Sequence, residues 1–252
     1  MSSVESAEDV LYETLINYLN SMARLVEGSV GKALDAVVNP CHPRTEGLPG
    51  EIFLAEPRVN EMEMVIDEQA VRLLRRGDLD EDEVRLTAAA LKITNDLERI
   101  GDLAVNLAER AITLREAPCW NAPQDLGSMA STVRAMVSES LGALIYRNAE
   151  RAMKVLESED IVDGYRDRIF EQTLARMTGD TVVVAPGMQF VLVTRYLERI
   201  ADHATNIAED IIFWVRGLEA RHGRRALLAE AQEPPLVIEN SCPCDSGVTP
   251  LG

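Results

Sequence analysis

The sequence predicts an all-α protein made of two tandem, pseudo-symmetric three-helix bundles, and three observations carry that reading. A stretch running Leu97-Glu98-Arg99-Ile100-Gly101-Asp102-Leu103-Ala104-Val105-Asn106-Leu107-Ala108-Glu109 returns 100 positions later as Leu197-Glu198-Arg199-Ile200-Ala201-Asp202-His203-Ala204-Thr205-Asn206-Ile207-Ala208-Glu209, with nine of thirteen positions identical. A match that dense at one fixed offset marks a duplicated unit. Apolar residues recur at three-to-four spacing through several long runs, the signature of amphipathic helices. Aromatics make up only 4% of the chain, which favours helices packed through Leu, Ala, Val and Met.

Each element follows from its pattern. From about 8 to 37, Leu15, Leu19, Met22, Val26, Val30, Leu34 and Val37 form one stripe, which Asn39-Pro40 stops. Pro43, Gly47, Pro49 and Gly50 mark a loop over 39–50. A second helix is expected from Glu56-Pro57, because proline suits a first helical turn, and is expected to end at Gly77. A third follows the acidic run Asp78–Glu83, whose charge favours a helix N-terminus, and continues through the first repeated motif to about Leu114. Pro118 and Pro123 bracket a linker. Then the pattern restarts: a long helix over 125–157, a break at Glu157-Ser158, a fifth helix from Glu159 to about Met177, and a sixth from Met188 to about Ala220. Between them Thr181–Ala185 is strand-like but isolated, and reads as a connector. The expected organisation is 1–117 for the first repeat, 118–222 for the second, and 223–252 for a loose tail rich in Pro, Ser and Cys.

The chemistry lies on the repeated helices. At about 100° per residue, Glu98, Asp102, Asn106 and Glu109 fall within an arc of about 80°, and Glu198, Asp202, Asn206 and Glu209 do the same. Most of the remaining circumference is Leu, Ile, Val and Ala, so much of each helix must be buried. Carboxylates drawn toward a buried face need a compensating cation. Each unit also has a second acidic helix: Glu56, Asn60, Glu63 and Asp67 share a face in the first, and Glu159 and Asp163 are the i, i+4 pair in the second. In antiparallel bundles these helices neighbour the motif helices, so oxygen ligands from two helices could hold iron, manganese, magnesium or zinc. The ordinary alternative is a solvated stripe, or carboxylates tied to arginines of adjacent helices.

Other signals are weaker. A di-iron carboxylate bundle needs two Glu-x-x-His motifs, and only Glu219-Ala-Arg-His222 fits. His203 reads as a surface or packing residue, and Trp120 and Trp214 as packing anchors. There is no Gly-rich phosphate loop, nucleophile elbow or Cys/His pair, so no catalytic residue is assigned and no enzyme activity is expected. The net charge of −17 disfavours nucleic acid and anionic membranes but suits a partner with a basic face. The acidic start lacks a signal-peptide pattern, and no apolar run is long enough to span a bilayer. A cytoplasmic protein with reduced Cys41, Cys119, Cys242 and Cys244 is expected.

The two motif copies, 97–109 and 197–210, resemble the doubled signature of the PhoU family of bacterial phosphate-signalling proteins, over roughly residues 10–218. The resemblance implies a twofold repeat of three-helix bundles with paired acidic motifs that bind metal ions or clusters, iron or zinc. Carried onto this chain, the ligands would be Glu98 and Asp102 with Glu56 and Asn60, and Glu198 and Asp202 with Glu159 and Asp163. It also implies a cytoplasmic negative regulator of the phosphate regulon, often dimeric. Such a protein would couple the ATPase subunit of the phosphate ABC transporter to a sensor histidine kinase. The chain departs from the family in Asn60 standing where a carboxylate is expected, in the 39–50 insert, and in the 223–252 tail.

Overall fold

The computed structural model describes residues 7–117, 121–218 and 220. Seven α-helices run in order: α1 (Ala7–Val38), α2 (Leu48–Leu74), α3 (Glu81–Glu116), α4 (Leu126–Tyr146), α5 (Ala149–Leu156), α6 (Glu159–Gly179) and α7 (Val184–Arg216). Single 3-10 turns lie at Pro43–Thr45 and Thr181–Val183, and there is no strand among the described residues.

α1 buries its whole stripe, from Leu15 to Val37. Its loop is shorter than expected, because α2 begins at Leu48 rather than Glu56. Proline does occupy the first turn of α2, but it is Pro49; Pro57 lies inside the helix. An interior proline removes one hydrogen bond and ordinarily kinks or ends a helix, which is why the later proline looks like a start. Gly77, at φ 75°, turns the chain out of α2 in the left-handed region open to glycine. α3 then starts on a capping box: Asp80 Oδ1 accepts from the Glu83 N–H at 2.9 Å, and Glu83 Oε2 accepts from the Asp80 N–H at 3.0 Å.

The long helix expected over 125–157 is two helices. Arg147 takes a left-handed conformation (φ 48°, ψ 48°), and Asn148 caps α5 by accepting from the Arg151 N–H at 3.0 Å. A non-glycine residue in that region is strained. The Arg147 guanidinium lies 5.3 Å from the Tyr12 ring and 5.1 Å from the Trp214 ring, two contacts that offset the strain. The expected connector at 181–185 is helical too, a 3-10 turn over Thr181–Val183 running into α7, which starts at Val184 with Pro186 in its first turn. Gly217, at φ 68°, ends α7.

α1, α2 and α3 pack on one another, and α4, α5 and α6 all pack on α7. The halves meet where α3 lies against α7 and α1 against α4. One apolar core runs through both halves, with Leu97, Ile100, Ala104 and Leu107 of α3 and Leu197, Ile200, Ala204 and Ile207 of α7 fully buried. The repeated motifs thus supply the centre of the molecule as well as its acidic stripes. No described helix is long and apolar enough to cross a membrane. The segment 223–252, His222, Glu219, Cys119, Cys242, Cys244 and Trp120 fall outside the described residues.

Candidate functional site

In the first half, burial of Ile100 and Ala104 fixes the rotation of α3 and leaves Glu98 and Asp102 on the side facing α2. Gly101 lets α2 approach closely: a Cβ there would meet the Val59 side chain at 3.4 Å. That contact sets the register, and because the helices are antiparallel, Glu63 comes level with Glu98. Burial pushes the Glu98 carboxyl up from its usual range, with Asp102 and Glu63 adding to the rise and Arg99 opposing it. Arg99, half exposed, reaches Glu98 at 3.4 Å and Asp102 at 3.8 Å from the rim. Of the expected partners, Asn60 Nδ2 donates to Glu56 Oε1 at 2.6 Å, so these two are tied to each other along α2. The α2 acid that acts on Glu98 is Glu63. It belongs to the acidic face of α2 visible in the sequence, but its selection depends on the α2–α3 register.

In the second half the three other expected carboxylates, Glu198, Glu159 and Asp163, all act on Asp202. Burial raises the Asp202 carboxyl, and Glu198, Glu159 and Asp163 each raise it further, against His203. A guanidinium enters this cluster. Arg166 Nη1 donates to Asp163 Oδ1 at 2.9 Å and to Glu198 Oε1 at 2.6 Å, while its Nε donates to Asp167 Oδ1 at 3.0 Å. Arg166 and Glu198 border a cavity of about 180 Å³ together with Phe170, Thr194 and Arg195. Among the described residues, no three His, Cys, Asp or Glu side chains stand close enough to hold one metal ion in this arrangement. The first cluster offers only carboxylate oxygens, drawn from two helices, which is the donor type that a hard cation takes. The second cluster as it stands does not suit one, because Arg166 is already seated on two of its four carboxylates.

A third polar constellation lies on the α3–α7 seam. Asp96, 6% exposed, meets His203 Nδ1 at 2.8 Å and accepts from Asn206 Nδ2 at 3.4 Å. Lys92 Nζ reaches the buried Asp210 Oδ1 at 3.3 Å and sits 5.5 Å from the Phe213 ring. Arg110 donates to Gln189 at 3.1 Å. Partner numbers on α7 fall as those on α3 rise, so the helices are antiparallel. The stripe 198–209 therefore divides: Glu198 and Asp202 face α6, while Asn206 faces α3. Trp214, only 2% exposed, is a packing anchor as expected. His42 accepts from the Arg44 N–H at 3.1 Å beside an exposed, free Cys41.

Comparison with known proteins fits this geometry. The PhoU domain model matches twice, over residues 19–111 and 126–211. A phosphate-specific transport system accessory protein PhoU homolog of Pseudomonas aeruginosa is 33% identical over 211 residues, covering 83% of this chain and 86% of that protein. One from Clostridium acetobutylicum is 29% identical, covering 81% and 92%. The crystal structure of PhoU from Pseudomonas aeruginosa superposes with a TM-score of 0.77 at 32% identity, covering 83% of this chain and 99% of that one. The phosphate transport system regulatory protein PhoU from Streptococcus pneumoniae shares the fold (TM-score 0.72, 20% identity, 84% and 98% covered).

Proposed function

We propose that this chain, which belongs to the PhoU family, restrains phosphate uptake by docking on the ATPase subunit of a phosphate ABC transporter and passing that state to a sensor histidine kinase. Its relatives are named as accessory and regulatory proteins, and the chain is a regulator of phosphate transport rather than an enzyme. The observation that carries this reading is the doubled domain match, laid over a fold in which each copy of the repeated motif faces an acidic partner helix. The net charge of −17 supplies the recognition chemistry, since an acidic face is steered toward a basic one. The setting is cytoplasmic, and the working form a homodimer.

The family's metal enters the proposal through the first half. Glu63, Glu98 and Asp102 are the residues that would hold it, with Glu56 and Asn60, paired to each other on α2, as further candidates; iron or zinc is expected first, manganese or magnesium next. A cation there would neutralise carboxylates that burial and mutual repulsion disfavour, and would tie α2 to α3. The rival is a metal-free helical adaptor, which Arg166, seated in the second cluster, favours for that half.

The test is binding of the purified full chain to the purified transporter ATPase subunit across a salt series. The expected result is a complex whose affinity falls as ionic strength rises, as screening of charged partners requires. No complex at low salt would remove the docking claim.

A further inference from the structure

The two halves superimpose in sequence beyond the repeated motif. Glu56-x-x-Val59-Asn60-x-x-Glu63-x-x-Ile66 on α2 matches Glu159-x-x-Val162-Asp163-x-x-Arg166-x-x-Ile169 on α6 at a constant offset. The match is structural as well, because Val59 and Val162, like Ile66 and Ile169, are buried at corresponding places. In this alignment Glu63 and Arg166 are equivalent positions with opposite charge. Glu63 acts on Glu98, and Arg166 contacts Glu198 at 2.6 Å, so each faces the same residue of its own repeated motif.

From this we infer that Arg166 is a built-in cation of the second cluster, and that the halves have diverged into one acidic site open to a metal ion and one closed by a guanidinium. The geometry suits that task. A single nitrogen, Nη1, bridges carboxylates on α6 and α7, Asp163 at 2.9 Å and Glu198 at 2.6 Å. Nε is held by Asp167 at 3.0 Å, which fixes the plane of the fork. A guanidinium cannot lose its charge in a protein, so the second cluster keeps its cation whatever the metal supply. Among the described residues the first cluster has only Arg99, bound at 3.4 and 3.8 Å from a half-exposed position. The chain would therefore sense or require metal through α2 and α3 alone, while α6 and α7 stay fixed. This assignment rests on the metal reading for the first half but not for the second.

Charge-reversal variants of the full chain separate the two. Arg166→Glu installs the first half's residue in the second, and Glu63→Arg does the converse. Manganese(II) is titrated into chelator-stripped protein, and bound ion is counted by equilibrium dialysis with elemental analysis. Melting temperature is recorded in parallel, with and without the ion. The expected wild type binds a single ion per chain, Arg166→Glu binds a second, and Glu63→Arg binds none. In chelator, Arg166→Glu melts below wild type and recovers on adding manganese. Two ions on the wild type overturn the assignment. So does an Arg166→Glu variant that matches the wild type both in ion count and in metal-free melting. If the wild type binds no ion while Arg166→Glu still melts low, the metal reading of the first half fails and the role of Arg166 stands.

Discussion

The Asp96–His203 contact offers a quantitative test of how the halves are joined. Asp96 is 6% exposed and has two partners, His203 at 2.8 Å and Asn206 at 3.4 Å. Substituting His203→Leu removes the shorter bond and leaves the carboxylate buried with the longer one. Leucine is sterically reasonable, because Leu103 holds the equivalent position in the first repeat. Stranding a buried polar group costs about 1–3 kcal/mol, and more when it is charged, so a loss of about 2–4 kcal/mol is expected. For a chain of this size each kcal/mol lowers the melting temperature by roughly 2–4 °C, giving a drop of roughly 5–15 °C. Urea unfolding should show a lower midpoint at an unchanged slope, since the surface exposed on unfolding is the same. The double variant Asp96→Leu/His203→Leu should recover part of the loss, as both polar partners are then gone. A coupling of at least about 1 kcal/mol in that cycle is expected. A His203→Leu variant within about 0.5 kcal/mol of wild type, the scatter of ordinary surface substitutions, would refute the reasoning.

Two further outcomes follow from the site. Glu98 has its carboxyl raised by burial and by Asp102, above an unfolded value of about 4.3. Its contribution to stability is therefore full below that pH and is lost as pH rises through the raised native value. In chelator, Glu98→Gln should flatten this part of the pH–stability curve, read by urea melts from acid to neutral pH; an unchanged curve would contradict the burial of Glu98. Gly101→Ala should stabilise α3 by about 0.5–1 kcal/mol, since the new Cβ would meet Val59 at 3.4 Å and Ala201 already stands at this position in the second repeat. A destabilised variant would mean that the α2–α3 approach leaves no room for a methyl group.

The helical class and the duplication were legible because long amphipathic stripes and a dense repeat are local signals. Boundaries failed where two local rules competed. Pro49 and Pro57 are equally good first-turn residues on paper, and only packing of Ile52, buried on α2, decides for the earlier one. The break at Arg147 needs a left-handed residue without glycine, a choice supported by Tyr12 and Trp214, far away in sequence. At the site, Glu98, Asp102, Glu198 and Asp202 could be read from helical pitch alone, and Glu159 and Asp163 with them. Glu63 could not be singled out, because the register of α2 on α3 is set by the Val59–Gly101 contact between helices. Asp96 was missed for a similar reason: one acid on an apolar face acquires meaning only when His203 arrives from the other half.

The claim on which the account turns is that carboxylates of α2 and α3 take up a metal ion, while those of α6 and α7 are already occupied by Arg166. Diffraction at the manganese absorption edge, from crystals grown with manganese(II), tests it directly. The account predicts an anomalous peak between Glu63, Glu98 and Asp102 and none beside Arg166. A peak of equal height beside Glu198 and Asp202, or none next to Glu98, would contradict it.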